Sequence, residues 1–252
     1  MWFSAVFRQS SASLRIRNIL LASRNLSTGT SAGGTDSTDT SQQTLYELRT
    51  YTVYPEKMRE FLKVTTEEFH LRTTHSKLLG YWTTEIGGLN EVVHIWEYDS
   101  LSHRAEVRAR LANDPDWLSR YVGRVISMWQ HQDNALLTLL PGTTVNMPTG
   151  KGVYELQTLQ LQGAPAVWSQ ALVGYVRACA EAAGSTSSLV GAWRSALGSR
   201  NMAALLWQHQ GPDGCLSLRD ATDSLDDGVA LSCHVTSGHS KLLLPHVVSN
   251  LQ

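Results

Sequence analysis

The sequence predicts an α+β chain of two tandem ferredoxin-like (βαββαβ) repeats that close on one another as a pseudo-symmetric barrel. Three observations lead there. First, short segments recur at a nearly constant offset: Tyr46-Glu47-Leu48 returns as Tyr154-Glu155-Leu156, and Leu79-Gly80-Tyr81-Trp82 as Val190-Gly191-Ala192-Trp193. Gly87-Gly88-Leu89-Asn90 returns as Gly198-Ser199-Arg200-Asn201, Ile95-Trp96 as Leu206-Trp207, and Leu139-Leu140-Pro141 as Leu243-Leu244-Pro245. Second, hydrophobic periods of two and of about 3.6 alternate in a readable order within one unit. Third, the strand after the Gly-Asn turn carries bulky residues on both faces: Val93 and Ile95 on one, Val92, His94, Trp96 and Tyr98 on the other. A sheet with a solvated face would show a polar set instead. Helices cover one face, and the second unit is the expected cover for the other, sheet against sheet at about 10 Å.

The elements of the first unit follow in order. Leu45 to Val53, rich in Leu, Tyr, Thr and Val, reads as a strand. Pro55 suits the first turn of a helix, with Met58, Phe61, Leu62, Thr65 and Phe69 on one stripe and Glu56, Lys57, Glu60 and Glu67 outside it. Leu78 to Ile86 is a second strand, Gly87 to Asn90 a tight turn, and Glu91 to Tyr98 a third strand. A second helical region begins near Leu101 and reaches about Trp129, interrupted at Asp114-Pro115. Ala135 to Leu140 is the closing strand. The repeats are placed at 44–145 and 151–248.

Composition and charge narrow the function. The 252 residues hold 21 Lys+Arg against 22 Asp+Glu, a net charge of -1, which offers no basic field for a phosphate backbone. The charge is unevenly spread. Arg8, Arg15, Arg17 and Arg24 precede the first acidic residue, Asp36, and alternate with apolar residues and with Ser and Thr. That is the pattern of an amphipathic mitochondrial presequence, placed at residues 1–26, with a disordered cytosolic tail as the rival reading. Its removal leaves 17 basic against 22 acidic residues, a net charge of -5. Residues 27–43, rich in Ser, Thr and Gly, read as a flexible linker. Ile19-Leu20-Leu21-Ala22 is too short to span a membrane, so no transmembrane segment is expected.

The ordered stretches Tyr46-Glu47-Leu48-Arg49-Thr50-Tyr51, His75 to Trp82 and Leu89 to Ser100, with the closing Leu-Leu-Pro of each half, resemble the NipSnap family, in particular its shorter third vertebrate subgroup. The resemblance runs over about residues 44–245. It implies a tandem dimeric α+β barrel, mitochondrial residence in the matrix or on a membrane with a cytosolic pool, and no established catalytic activity. It also implies protein partners, autophagy adaptors among them, since better-studied relatives are linked to mitophagy and to vesicular transport. A homo-oligomer is compatible with it.

The chemistry-bearing residues are few. His94, with Trp82 on the neighbouring strand and Trp96 two residues along, is placed on the sheet-sheet interior, either as a pocket base or haem ligand or as an interior histidine bonded to a neighbour. The interior reading is preferred, because no carboxylate or second His is fixed nearby by spacing. The alternative function, a small-molecule or haem-binding barrel or a monooxygenase-like enzyme, rests on these residues. His70/His75 and His234/His239 lack the spacing of HExxH, and Cys179, Cys215 and Cys233 form no CxxC, so neither metal nor cofactor is expected. Arg104, Arg108, Arg110, Arg120 and Arg124 make the second helical region basic, read either as an anion grip or as a solvated face balanced by acids.

Overall fold

The computed structural model describes residues 43–252, except Ser224 and the Asp227 side chain. The expected presequence 1–26 and nearly all of the linker 27–43 lie outside the described residues.

In chain order the elements are β1 (Leu45–Val53), α1 (Met58–Glu68), α2 (His70–Thr73), β2 (Lys77–Ile86), β3 (Glu91–Tyr98), α3 (Leu101–Ala112), α4 (Gly123–Val125) and β4 (Trp129–Leu139). Then come β5 (Val153–Leu161), α5 (Pro165–Ala182), β6 (Ser187–Leu197), β7 (Met202–His209), α6 (Gly214–Thr222), α7 (Asp226–Ser232) and β8 (Val235–Pro245). The local causes are readable. Pro55 opens a 3-10 turn, Pro55–Lys57, that runs into α1, and Pro165 sits in the first turn of α5. Ser100 Oγ caps α3 by accepting from the His103 amide at 3.0 Å. After α3, Asp114 Oδ1 accepts from the amides of Asp116 and Trp117, each at 3.0 Å, and starts the helical turns that lead to α4. The hairpins β2–β3 and β6–β7 turn on Gly87 and Asn90, and on Gly198 and Asn201, all four at positive φ.

Eight antiparallel strands close in the order β1-β3-β2-β8-β5-β7-β6-β4. The first-half strands thus run β4-β1-β3-β2 and the second-half strands β8-β5-β7-β6. Two seams join the halves, β2 with β8 and β4 with β6. Sheet-on-sheet stacking would have left four strand edges with unpaired amides and carbonyls; edge-to-edge joining satisfies them. The expected barrel thus closes through its strand edges as well as through the facing of its two sheets. The Lys241–Glu91 ion pair and the bond from His239 Nε2 to the Gly87 carbonyl at 2.7 Å tie the first seam.

Three apolar layers result. The barrel interior holds Tyr46, Leu48, Trp82, Val93, Ile95, Tyr154, Leu156, Trp193 and Leu206. It is built pseudo-symmetrically: Tyr46 of the first half packs on Trp193 of the second at 5.6 Å, and Tyr154 of the second on Trp82 of the first at 5.5 Å. Each half then has its own layer between the outer sheet face and its helices. The chain after β8 crosses back onto the first half. There the Ser249 hydroxyl accepts from the Tyr81 amide at 2.9 Å, and Leu251 is buried in the barrel interior.

Strand β4 is longer than its sequence suggests. Only Ala135 to Leu140 was expected, yet pairing with β1 begins at Trp129 opposite Val53. Residues 130–134 are polar and mostly exposed, so they carry no apolar period; β1 recruits them through the backbone ladder, with Trp129 against Tyr51 at 5.3 Å and Asn134 donating to Glu47 at 2.7 Å.

Candidate functional site

The expected trio of His94, Trp82 and Trp96 does not converge. Trp82 points into the barrel interior, whereas His94 and Trp96 face the helices of the first half, the reverse of the face inferred for His94. A bulge in β2 between Leu78 and Gly80 sets Tyr81, not Trp82, opposite His94, so Trp82 and His94 lie on opposite sheet faces. His94 is buried; its Nδ1 accepts from the Trp96 indole at 2.6 Å, its ring stacks on Tyr81 at 5.2 Å, and Tyr51 meets it edge-on at 4.9 Å. Burial, then the charge of Arg49, holds its imidazole well below the usual histidine range. It is a neutral, hydrogen-bonded interior side chain.

Around it lies a buried polar network that spacing alone did not reveal. Glu47, on β1, is fully buried. Its Oε1 accepts from Arg104 of α3 and from Asn134 of β4, each at 2.7 Å, and its Oε2 from the Tyr98 hydroxyl at 3.2 Å. Tyr98 in turn accepts from Arg72 at 2.9 Å, and the Arg72 guanidinium lies over the Trp96 ring at 3.9 Å. Burial alone would raise the Glu47 carboxyl, but Arg49, Arg104 and Asn134 outweigh it and hold it at about 2. Two of the other basic residues of this region pair with acids of α1: Arg120 reaches Glu68 at 2.7 Å and Arg124 reaches Glu67 at 3.0 Å.

The second half repeats the carboxylate and changes what surrounds it. Glu155, the counterpart of Glu47, accepts from Arg219 of α6 at 2.8 Å. Burial pushes its carboxyl up, and His209 and Arg219 outweigh that and hold it at about 2. His209 stands where the first half has Tyr98, and its Nδ1 lies 2.7 Å from Ser187 Oγ. Leu205 replaces His94, and Ala192 replaces Tyr81.

A cleft opens on the outer sheet face of this half. About 870 Å³ in volume, it lies between the strands and α5, α6 and α7. Trp207, Tyr175, Leu159 and Leu218 give it apolar walls, and Gln157, Arg219, Asp223, His239 and Ser240 supply polar groups. Strand register explains the opening. Gln157, Leu159, Gly238 and Ser240 occupy the positions that Arg49, Tyr51, Gln132 and Asn134 hold in the first half. Leu for Tyr, Gly for Gln and Ser for Asn remove the bulk that fills the equivalent space. Cys179 lines the cleft and is buried; the partly buried Cys215 has its thiol pushed up to about 11 by burial and then by Glu155, which keeps it protonated at neutral pH.

No helix among the described residues is long and apolar enough to cross a membrane. The NIPSNAP family model matches residues 46–142. Protein NipSnap homolog 3B of Mus musculus is 40% identical over 175 residues, 69% of this chain and 70% of that protein. Protein NipSnap homolog 3A of Homo sapiens is 38% identical over 170 residues, 67% of this chain and 68% of that protein. Among solved structures, a provisionally assigned monooxygenase of Fusobacterium nucleatum superposes with a TM-score of 0.61 at 12% identity, covering 82% of this chain and 94% of that one. At that identity the likeness is one of fold.

Proposed function

The chain belongs to the NipSnap family, and from that premise we propose that it is a non-enzymatic mitochondrial barrel protein that acts through protein partners. The processes we assign it to are mitochondrial quality control, with autophagy adaptors among the partners, and vesicular transport. In the same reading the halves are two ferredoxin-like repeats, 44–145 and 151–248, arranged within one chain as a dimeric α+β barrel; the strand orders β4-β1-β3-β2 and β8-β5-β7-β6 support it.

The observation that carries the reading is the packed barrel interior. Trp82, Trp193, Tyr46 and Tyr154 fill the space between the halves with aromatic rings, which leaves it a core and not a reaction chamber. The Arg-rich, acid-free first 35 residues support the location. A fluorescent fusion of the full chain is expected to enter mitochondria, and one lacking residues 1–26 to stay in the cytosol. Unchanged import of the shortened fusion overturns the location.

The second-half cleft favours a second reading, a small-molecule-binding barrel. Its apolar walls and polar groups suit a partly apolar organic ligand. His94 is not among its walls, so in that reading the weight moves from His94, Trp82 and Trp96 to Gln157, Trp207 and Arg219. A rise in heat stability of the purified chain with haem or a quinone supports it, and none across such a panel counts against it.

A further inference from the structure

Glu155 on β5, His209 at the end of β7 and Cys215 in α6 bring a carboxylate oxygen, an imidazole nitrogen and a thiol sulfur within 4.8 Å of one another. Two of these atoms are orphans. Nε2 of His209 and Oε2 of Glu155 are buried and have no hydrogen-bond partner among the described residues, although both side chains are almost wholly enclosed. They stand 3.6 Å apart, too far for a good hydrogen bond. That distance is close to the edge of about 3.4 Å that nitrogen and oxygen ligands span on one tetrahedral ion.

The other end of each side chain is anchored. His209 Nδ1 lies 2.7 Å from Ser187 Oγ, and Glu155 Oε1 accepts from Arg219 at 2.8 Å. With Nδ1–H donating to the serine, Nε2 presents its lone pair to the gap, the support that metal-binding imidazoles and carboxylates receive from outer partners. The first half is an internal comparison. There Tyr98 occupies the position of His209, and its hydroxyl reaches Glu47 Oε2 at 3.2 Å, so that oxygen is satisfied. Tyrosine closes the gap in one half, and histidine with a nearby cysteine leaves it open in the other.

We propose that Glu155, His209 and Cys215 form a three-ligand site for a borderline-soft divalent cation, Zn²⁺ by its mixed oxygen, nitrogen and sulfur donors. Hard cations such as Ca²⁺ and Mg²⁺ prefer all-oxygen sets. Three protein ligands leave a fourth position for water or another ligand. Arg219 both holds Glu155 and lines the cleft, which sets the site against the cleft wall. Separations of 54 and 6 residues match no metal-binding motif, so only the fold brings the three together.

The test uses the purified full chain, stripped with a chelator and titrated with Co²⁺ and then Zn²⁺. One Co²⁺ per chain is expected, with a thiolate-to-cobalt charge-transfer band that Zn²⁺ abolishes. Cys215→Ser should remove the band and weaken binding by about 100-fold or more, and Ser187→Ala by about tenfold, the range for an outer partner. Cys233→Ser, at an exposed thiol, should change neither. Cys215→Ala serves as the second variant if the serine form is unstable, and circular dichroism checks that each variant is folded. Absence of the band in the unmodified chain, its survival in a folded Cys215 variant, or its loss in Cys233→Ser overturns the site.

Discussion

His94 titrates against the fold, and the direction can be worked out. Its folded value lies well below 6.5 because burial, helped by Arg49, disfavours the charged ring. Below pH 6.5 the unfolded chain therefore binds a proton that the folded chain refuses, and stability falls with pH by about 1.4 kcal/mol per unit. The expected outcome is a lower urea midpoint at pH 5.5 than at pH 7, with a difference that shrinks by about 1 kcal/mol in His94→Gln. An identical pH dependence in the variant contradicts a neutral, buried imidazole. Residue-scale legibility was uneven. The sequence singled out His94, but its face was misassigned because alternation along β3 separates two faces without saying which of them meets the helices. Glu47 and Glu155 were in view as the centre of the repeated Tyr-Glu-Leu. Their function as paired network centres was not, since Arg104 and Arg219 come from helices 57 and 64 residues further along.

At the scale of elements, the repeated Gly-x-Trp of β2 and β6 is a packing device. A Cβ on Gly80 would stand 2.2 Å from the Trp82 ring, and one on Gly191 would stand 2.3 Å from the Trp193 ring. Both rings are enclosed in the barrel interior and cannot swing aside. Gly80→Ala and Gly191→Ala are each expected to cost about 1–3 kcal/mol, a fall in Tm of roughly 3–10 °C. An unchanged Tm in either would mean that the ring has room to move. Elements with a clear apolar period, such as β1, α1 and β3, were legible from sequence. The first six residues of β4 were not, because they show no apolar alternation and become a strand by pairing with β1.

For the molecule as a whole, barrel closure was legible because two-faced strands are a property of the sequence. The cleft was not, because it arises from differences between the halves, Leu159 for Tyr51, Gly238 for Gln132 and Ser240 for Asn134, that acquire meaning only once strand register is known. The halves differ accordingly: the outer sheet face of the first is filled by aromatic and ionic packing, and that of the second carries the cleft. The non-enzymatic role is tested most directly in one measurement. Purified full chain and a Leu159→Trp variant, whose indole would fill the cleft, are each incubated with a mitochondrial small-molecule extract, and metabolite loss is followed by mass spectrometry. The expected result is no metabolite consumed by the unmodified chain beyond the protein-free control. A metabolite consumed by the unmodified chain and spared by Leu159→Trp would contradict a non-enzymatic role.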